Sequence, residues 1–489
     1  MKRFIIFSSM TYRTVLLAQI PGARAVFVVL VCAVLGACAS HMAGPDASQL
    51  VATYVVVGED GQSIGRAIVN GPQCPTLVAD GVPLRMTTRV SPETIAVRPT
   101  LSDPALSKPS SFPLLVCELP LATTVHEATV LGQQLALFKA LPQRIVVVGD
   151  TGCRIKSTDT IVQDCSSDQT WPFRKLADRA ASEAPDVVIH VGDYHYRESP
   201  CPPGIGGCAG SPWGYGWDAW NADFFKPAAK LLAAAPWVLA RGNHEECSRA
   251  GQGWFRFLDS RPFASQRSCD QKADDYGADF SEPYAVPLGD RWQLIVFDSA
   301  TAGNNPLKLD TPRDANIFAH YQVEMRAVAR LAAKPGMRSI FIAHHPVLGF
   351  IPPNAYVPDG AGGNPALLSA MHSLYGNAYF PPGVTAALHG HVHLFEAIDA
   401  ASPQVATIVA GHGGDTLDND LPVTFPDGKS PAEGVSVRAI THSNSFGYLV
   451  MDRGLDTWTI RAKRVDGTVL TTCALSNAGL ACDKQGGVK

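Results

Sequence analysis

Residues 187–201 read VVIHVGDYHYRESPC, and this stretch decides the fold. An apolar run, Val187–Ile189 with Val191, ends on Gly192-Asp193, so a buried strand stops at a turn that presents a carboxylate. Two tyrosines then bracket a histidine. What Tyr194, His195 and Tyr196 are for depends on what else the chain brings to the same place.

The same pattern recurs four times. RIVVVGD ends at Asp150, WVLARGNH at Asn243 and His244, SIFIAHHP at His344 and His345, and TAALHGHVH at His391 and His393. Amphipathic stretches lie between these runs. In IFAHYQVEMRAVARLAAKPG, Phe318, Tyr321, Met325 and Val328 recur at three- and four-residue steps and predict a buried helix face. WNADFFKPAAKLLAAAP predicts a second helix, started or kinked at Pro227. Strands ending in polar residues, with helices between them, predict a layered α/β domain whose site lies at the strand ends.

Each block alone has an ordinary explanation, since Gly-Asp is a common turn and a lone histidine is usually a packing residue. Five in one chain are a constellation. The spacing of GHVH adds to it: residues i and i+2 of an extended segment point to one side, so His391 and His393 can face one centre while Val392 packs.

The ordered set GDTG, GDYHY, GNHE, AHHP, GHVH resembles the calcineurin-like metallophosphoesterases. Within them it is similar to the purple acid phosphatase branch, with its blocks Gly-Asp-x-Gly, Gly-Asp-x-x-Tyr, Gly-Asn-His-Asp/Glu, Val-x-x-His and Gly-His-x-His. The resemblance spans residues 145 to about 414. It departs from the family pattern at Phe341, where Val is usual, and at His345, which directly follows the ligand histidine. It implies a four-layer αββα metallophosphoesterase sandwich holding two metal ions.

By the resemblance, Asp150, Tyr196 and His393 hold one metal, Asn243, His344 and His391 the other, and Asp193 bridges them. Oxygen donors at the first suit Fe(III), while imidazoles and an amide at the second suit Zn, Fe(II) or Mn. The first block lacks the histidine of the generic Asp-x-His pattern, and the resemblance assigns that position to Tyr196; His195 is the competing ligand. The implied reaction is phosphomonoester hydrolysis by a metal-bound hydroxide, with Asp193 and Asn243 in the catalytic core and His244 reaching the phosphate or the leaving oxygen. His345, His195, Arg154, Arg241 and Arg197 are further candidates for phosphate contacts. His412, in IVAGHGGD, either lines the pocket or packs. A phosphodiesterase or a nucleotide or phospholipid-headgroup hydrolase would share the same core. A non-catalytic metal-binding surface lipoprotein is the alternative of another class.

Lys2, Arg3, Arg13 and Arg24 precede the apolar run AVFVVLVCAVLGAC, which reads as an export signal rather than a membrane span. Leu35-Gly36-Ala37-Cys38 is similar to a bacterial lipobox and predicts acylation at Cys38; cleavage after a small residue such as Ala39 is the other option, and either Met1 or Met10 can be the start. The predicted organisation is a signal at 1–38, a small all-β module at 39–140, the catalytic domain at 141–470 and a disulfide-tied tail at 471–489. The predicted location is the cell envelope, with the outer membrane or cell surface preferred and the lipid as the only membrane attachment.

Of 12 cysteines, setting aside Cys32 and Cys38 leaves an even number for disulfides, which suits export. Sequence neighbours, Cys74 with Cys117, Cys153 with Cys165, Cys201 with Cys208, Cys247 with Cys269 and Cys473 with Cys482, give the simplest of many pairings. No Cys-x-x-Cys spacing argues for a zinc site. A net charge of −4 gives no case for nucleic acid, and the expected partner is a small phosphorylated substrate.

Overall fold

The computed structural model describes residues 46–159, 161–354, 357–422 and 430–483. The lipobox and both start positions lie outside them. Among the described residues, no helix is long and apolar enough to cross a membrane.

The strand Val187–His190 lies between Arg144–Val148 and Trp237–Leu239, parallel to both. The sheet continues on one side through the antiparallel strands Gly447–Arg453, Trp458–Arg464, Val469–Ser476 and Gly479–Cys482. On the other side it continues through Leu50–Val57, Ser63–Val69, Leu115–Pro120 and Thr87–Val90. Strands from before residue 140 thus belong to the same sheet as the strands that end in GDTG and GDYHY, and the described residues form one compact unit. Short strands at Thr76–Ala79, Val82–Arg85, Ala128–Val130 and Gln133–Leu135 make a separate small sheet packed on Val55, Ala67, Val69 and Leu115 of the large one.

The second large sheet has Trp292–Val296, Arg338–Ile342, Val384–His389 and Ala406–Ala410 parallel at its centre, with antiparallel neighbours at both edges. Side-chain alternation sorts the layers. Ile145, Val147, Val187, Ile189 and Val191 pack against Leu294, Ile340, Ile342, Ala386 and Leu388 between the two sheets. Val146, Val148 and Val188 face the other way, onto Phe173, Leu176 and Ala180 of the helix Phe173–Ala181 and Leu231 of Lys226–Ala234. Behind the second sheet, Phe341 and Ala387 meet the helices Pro312–Ala332 and Pro365–Tyr375. This is the four-layer αββα arrangement. Each fully buried Val, Leu or Ile contributes about 1.5–3 kcal/mol. A one-residue slip of Val187–His190 would turn His190 into the inter-sheet core and point Asp193 away from the site.

Both expected helices form. Ile317, Tyr321, Met325 and Val328 are the buried face of Pro312–Ala332, with Phe318 half-buried beside them. The segment at Pro227 is helical from Trp217 to Ala234, with a π-helical turn at Asn221–Phe225 just before the proline. Among the described residues five disulfides form, Cys74–Cys117, Cys153–Cys165, Cys201–Cys208, Cys247–Cys269 and Cys473–Cys482.

Candidate metal centre

The carboxyl ends of the central strands of both sheets converge, and the five blocks meet there. Tyr196 Oη lies 2.8 Å from Asp193 Oδ2, 3.1 Å from Asp150 Oδ1 and 3.1 Å from His393 Nε2. A second focus forms at Asn243 Oδ1, 3.0 Å from both His344 Nε2 and His391 Nδ1. His344 Nε2 is also 3.1 Å from Asp193 Oδ2, so one carboxylate oxygen belongs to both foci. Asp193, His344 and His391 can offer one ion three ligand atoms within 4.8 Å of one another.

Local backbone strain aims these groups. Asp150, Asp193 and His391 all have positive φ, at 54°, 58° and 70°. Such angles are uncommon outside glycine and cluster at functional sites, where surrounding structure enforces them. Gly192, at φ 106°, allows close approach: a Cβ there would fall 2.5 Å from His344 Nδ1. Glu245 fastens two of the turns together, its carboxylate accepting the backbone N–H groups of Asp193, Tyr194, His195 and Gly242.

The tyrosines and histidine of the GDYHY block separate cleanly. Tyr194 stacks on His190 and donates its hydroxyl to Ala240 O. The His195 imidazole is buried beside Tyr215 and Trp220. Only Tyr196 among the three puts a side-chain heteroatom at a focus.

His244 sits beside the centre, with Nε2 3.8 Å from Asp193 Oδ2 and its ring 3.9 Å from that of Tyr196. Its Nδ1 faces Glu198 Oε1 at 2.7 Å and His195 O at 3.1 Å. Glu198 is buried, bonded also to Arg249 and, through Oε2, to Ser102. Ser102 belongs to RPTLSDPALSKPSS, whose composition reads as an exposed loop. It is drawn inward here because a buried carboxylate needs partners on both oxygens. His345 lies 4.2 Å, ring to ring, from His391, and Ser299 Oγ holds its Nδ1.

The other candidates are ion-paired or packed. Arg197 pairs with buried Asp223. Arg241 bonds the carbonyls of Glu245 and Ala278 and reaches Asp298. Arg154 pairs with Asp159 and Asp415 while lying 5.1 Å over the Tyr196 ring. His412 is buried against Phe395, and neither ring nitrogen has a partner among the described residues.

Glu198, Arg249, Asp223, Asp415 and Asn304 surround the five blocks but stand out in no pattern of their own. Glu198 had a signal, five residues past Asp193 in the same loop, as did Asp415 at the end of IVAGHGGD. Asp223 and Asn304 are brought in only by the fold.

The electrostatics fit cations. Burial lowers His344, but Asp193 and Asp150 outweigh it and raise the imidazole to about 9. Burial likewise opposes His393, yet Asp415 and Asp150 raise it to about 10. Burial, Asp193 and Asp150 push the Tyr196 phenol well above its usual range. A phenolate at that position therefore calls for a strongly polarising cation. Burial and Arg249 push His244 down to about 4. Donor atoms of the right chemistry at two foci, joined by a carboxylate, suit a pair of metal ions.

A family model described as calcineurin-like phosphoesterase matches residues 143–395, more than half of the chain. The chain belongs to the calcineurin-like phosphoesterase family. It is a phosphoric ester hydrolase of that family, and its site is of the binuclear kind the family implies. Among solved structures it is similar to purple acid phosphatase PPD1 from yellow lupin (Lupinus luteus) seeds, with TM-score 0.54 and 15% identity over 88% of this chain and 74% of that one. It also aligns with PhoD, with TM-score 0.47 and 9% identity over 90% and 93% of the two chains. GAP50, the anchor in the inner membrane complex of Plasmodium, aligns with TM-score 0.40 and 13% identity over 71% and 90%. No curated protein sequence matches. The lupin likeness shows that this phosphoesterase has the purple acid phosphatase fold.

Proposed function

We propose that this phosphoesterase hydrolyses phosphomonoesters at a two-metal centre and works outside the cytoplasm on a lipid anchor at Cys38. The observation that supports the chemistry best is the pair of donor foci, around Tyr196 Oη and Asn243 Oδ1, with Asp193 Oδ2 common to both. Asp150, Tyr196 and His393 would hold Fe(III), Asn243, His344 and His391 would hold Zn, Fe(II) or Mn, and Asp193 would serve both. When bound, the pair supplies Lewis-acid activation of water and neutralises phosphoryl charge. Glu245 keeps the Asp193 and Asn243 turns in register, so the bridging carboxylate and the amide ligand move as one body. Glu198 holds Nδ1 of His244 while Nε2 faces the centre beside Arg249 Nη2 at 2.7 Å, so the pair would meet the phosphate or the leaving oxygen, and His244 would serve as an acid only in its protonated form.

Five disulfides mark a protein of an oxidising compartment and support the export reading. In this proposal residues 141–470 carry the chemistry, strands between Leu50 and Pro120 extend the sheet, and Cys473–Cys482 ties its last two strands.

The test is hydrolysis of p-nitrophenyl phosphate beside a matched diester, with metal content measured on the same samples. Asp193→Ala or His391→Ala should abolish monoester turnover and lower metal content, with the circular dichroism spectrum unchanged. Full activity in either variant rejects the site. Faster turnover of the diester moves the substrate class.

A further inference from the structure

Three imidazoles bring one nitrogen to the two foci, and each has its other nitrogen held. His344 Nδ1 donates to Val191 O at 2.9 Å, and His393 Nδ1 donates to Thr416 O at 2.8 Å. Both acceptors are backbone carbonyls of the scaffold. His391 is different. Its Nδ1 faces Asn243 Oδ1, and its Nε2 lies 3.1 Å from Asn304 Oδ1, a side chain on the exposed segment between the strand Trp292–Val296 and the helix Pro312–Ala332.

The chemistry of this contact has one consistent assignment. For Nδ1 to offer a lone pair to a cation, Nε2 must carry the proton, and Asn304 must turn its oxygen toward it. A ligand histidine ordinarily has its second nitrogen fixed in this way, and removing the acceptor typically costs about 10–100-fold in metal affinity. Here the acceptor is an amide rather than a carbonyl of the main chain. Its other end is an NH₂ group with two donors. Asn304 is exposed, and no acceptor among the described residues lies within hydrogen-bond distance of that nitrogen. The fold thus leaves two N–H bonds at an exposed position across the His391 ring from Asn243 Oδ1, fixed in direction by the bond that His391 makes to the other end.

We infer that Asn304 is a two-ended positioning residue: Oδ1 holds His391 in its Nε2–H tautomer, and Nδ2 donates to a phosphoryl oxygen of the substrate. This rests on the two-focus reading of the site. It goes beyond that reading in naming a residue outside the five blocks that joins ligand geometry to substrate binding. Substrate specificity and metal retention then share one side chain.

The two ends can be read separately with Asn304→Asp and Asn304→Ala in the metal-loaded enzyme. Asp keeps an acceptor for His391 and loses the donor; Ala loses both. Metal release under a chelator challenge reports the first end. Inorganic phosphate binding, measured calorimetrically with metal in excess, reports the second. The inference expects Ala to lose metal about tenfold or more faster than wild type and Asp to stay within about twofold. It expects phosphate to bind roughly tenfold more weakly in Ala, and more weakly still in Asp, where a carboxylate adds repulsion. Wild-type metal release in Ala overturns the tautomer role, and wild-type phosphate affinity in Ala overturns the donor role. His391→Ala serves as the separate control. If it too retains metal normally, the site reading has failed; if it loses metal while both Asn304 variants match wild type, the inference alone has failed.

Discussion

At the scale of residues, the five blocks were readable because each ligand type directly follows a strand, where sequence order and spatial position coincide. Tyr196 could be singled out because GDTG lacks a histidine, and its hydroxyl lies among Asp150, Asp193 and His393. Glu198 was not singled out, although it stands in the same loop, because its value depends on His244 and Ser102, which arrive from elsewhere in the chain. Its burial makes it a positioning residue with a measurable effect. Glu198→Gln keeps an oxygen for Arg249 but replaces the anion facing His244 Nδ1 with a neutral amide. We expect kcat for p-nitrophenyl phosphate to fall about 10-fold with KM nearly unchanged, because the loss falls on a group acting in the transition state. The deficit should widen for an alkyl phosphate, whose leaving oxygen needs the proton more. An equal deficit on both esters would show that Glu198 acts through folding rather than through His244.

At the scale of elements, strand and helix periodicity gave the layers, but the π-helical turn at Asn221–Phe225 has no signature in sequence. That turn delivers buried Asp223, whose carboxylate accepts the backbone N–H groups of Cys153, Tyr196 and Arg197 as well as the Arg197 guanidinium. One side chain therefore ties the GDTG turn to the loop that carries Tyr196, and π turns recur at functional sites for this kind of re-aiming. Asp223→Ala leaves a buried arginine and three amides without their acceptor. Breaking a buried pair in this way costs about 3–5 kcal/mol. Thermal unfolding should show a clear loss of Tm. Metal content should fall toward one ion per chain, because the displaced loop belongs to the Tyr196 focus. A variant with wild-type Tm would mean that the amides find other acceptors and that the turn is not braced by Asp223.

At the scale of the whole molecule, the joining of Leu50–Val57 to the catalytic sheet beside Trp237–Leu239 depends on tertiary pairing. The only hint was the unbroken run Tyr54–Val57, buried on both faces as interior strands are. A molecule of two packed sheets also buries histidines that the chemistry does not use, and these set its tolerance of acid. His412 is the simplest case: burial alone pushes it from 6.5 down to about 3, and neither ring nitrogen has a partner among the described residues. Below 6.5 the unfolded chain takes up a proton that the native state refuses. The stability tied to neutral His412 is therefore fully present above about 6.5 and drains as pH falls toward 3, by about 1.4 kcal/mol for each pH unit. His412→Met, close in volume and without the ionisable ring, should remove that slope. Denaturant midpoints for both proteins between pH 4.5 and 8 provide the measurement. The difference should be flat above pH 7 and should move steadily in favour of the variant below 6.5. Parallel curves over the whole range would show that His412 takes up its proton at the same pH in the native and the unfolded chain. The acid limit of this phosphoesterase would then have to be sought among the histidines at its metal centre.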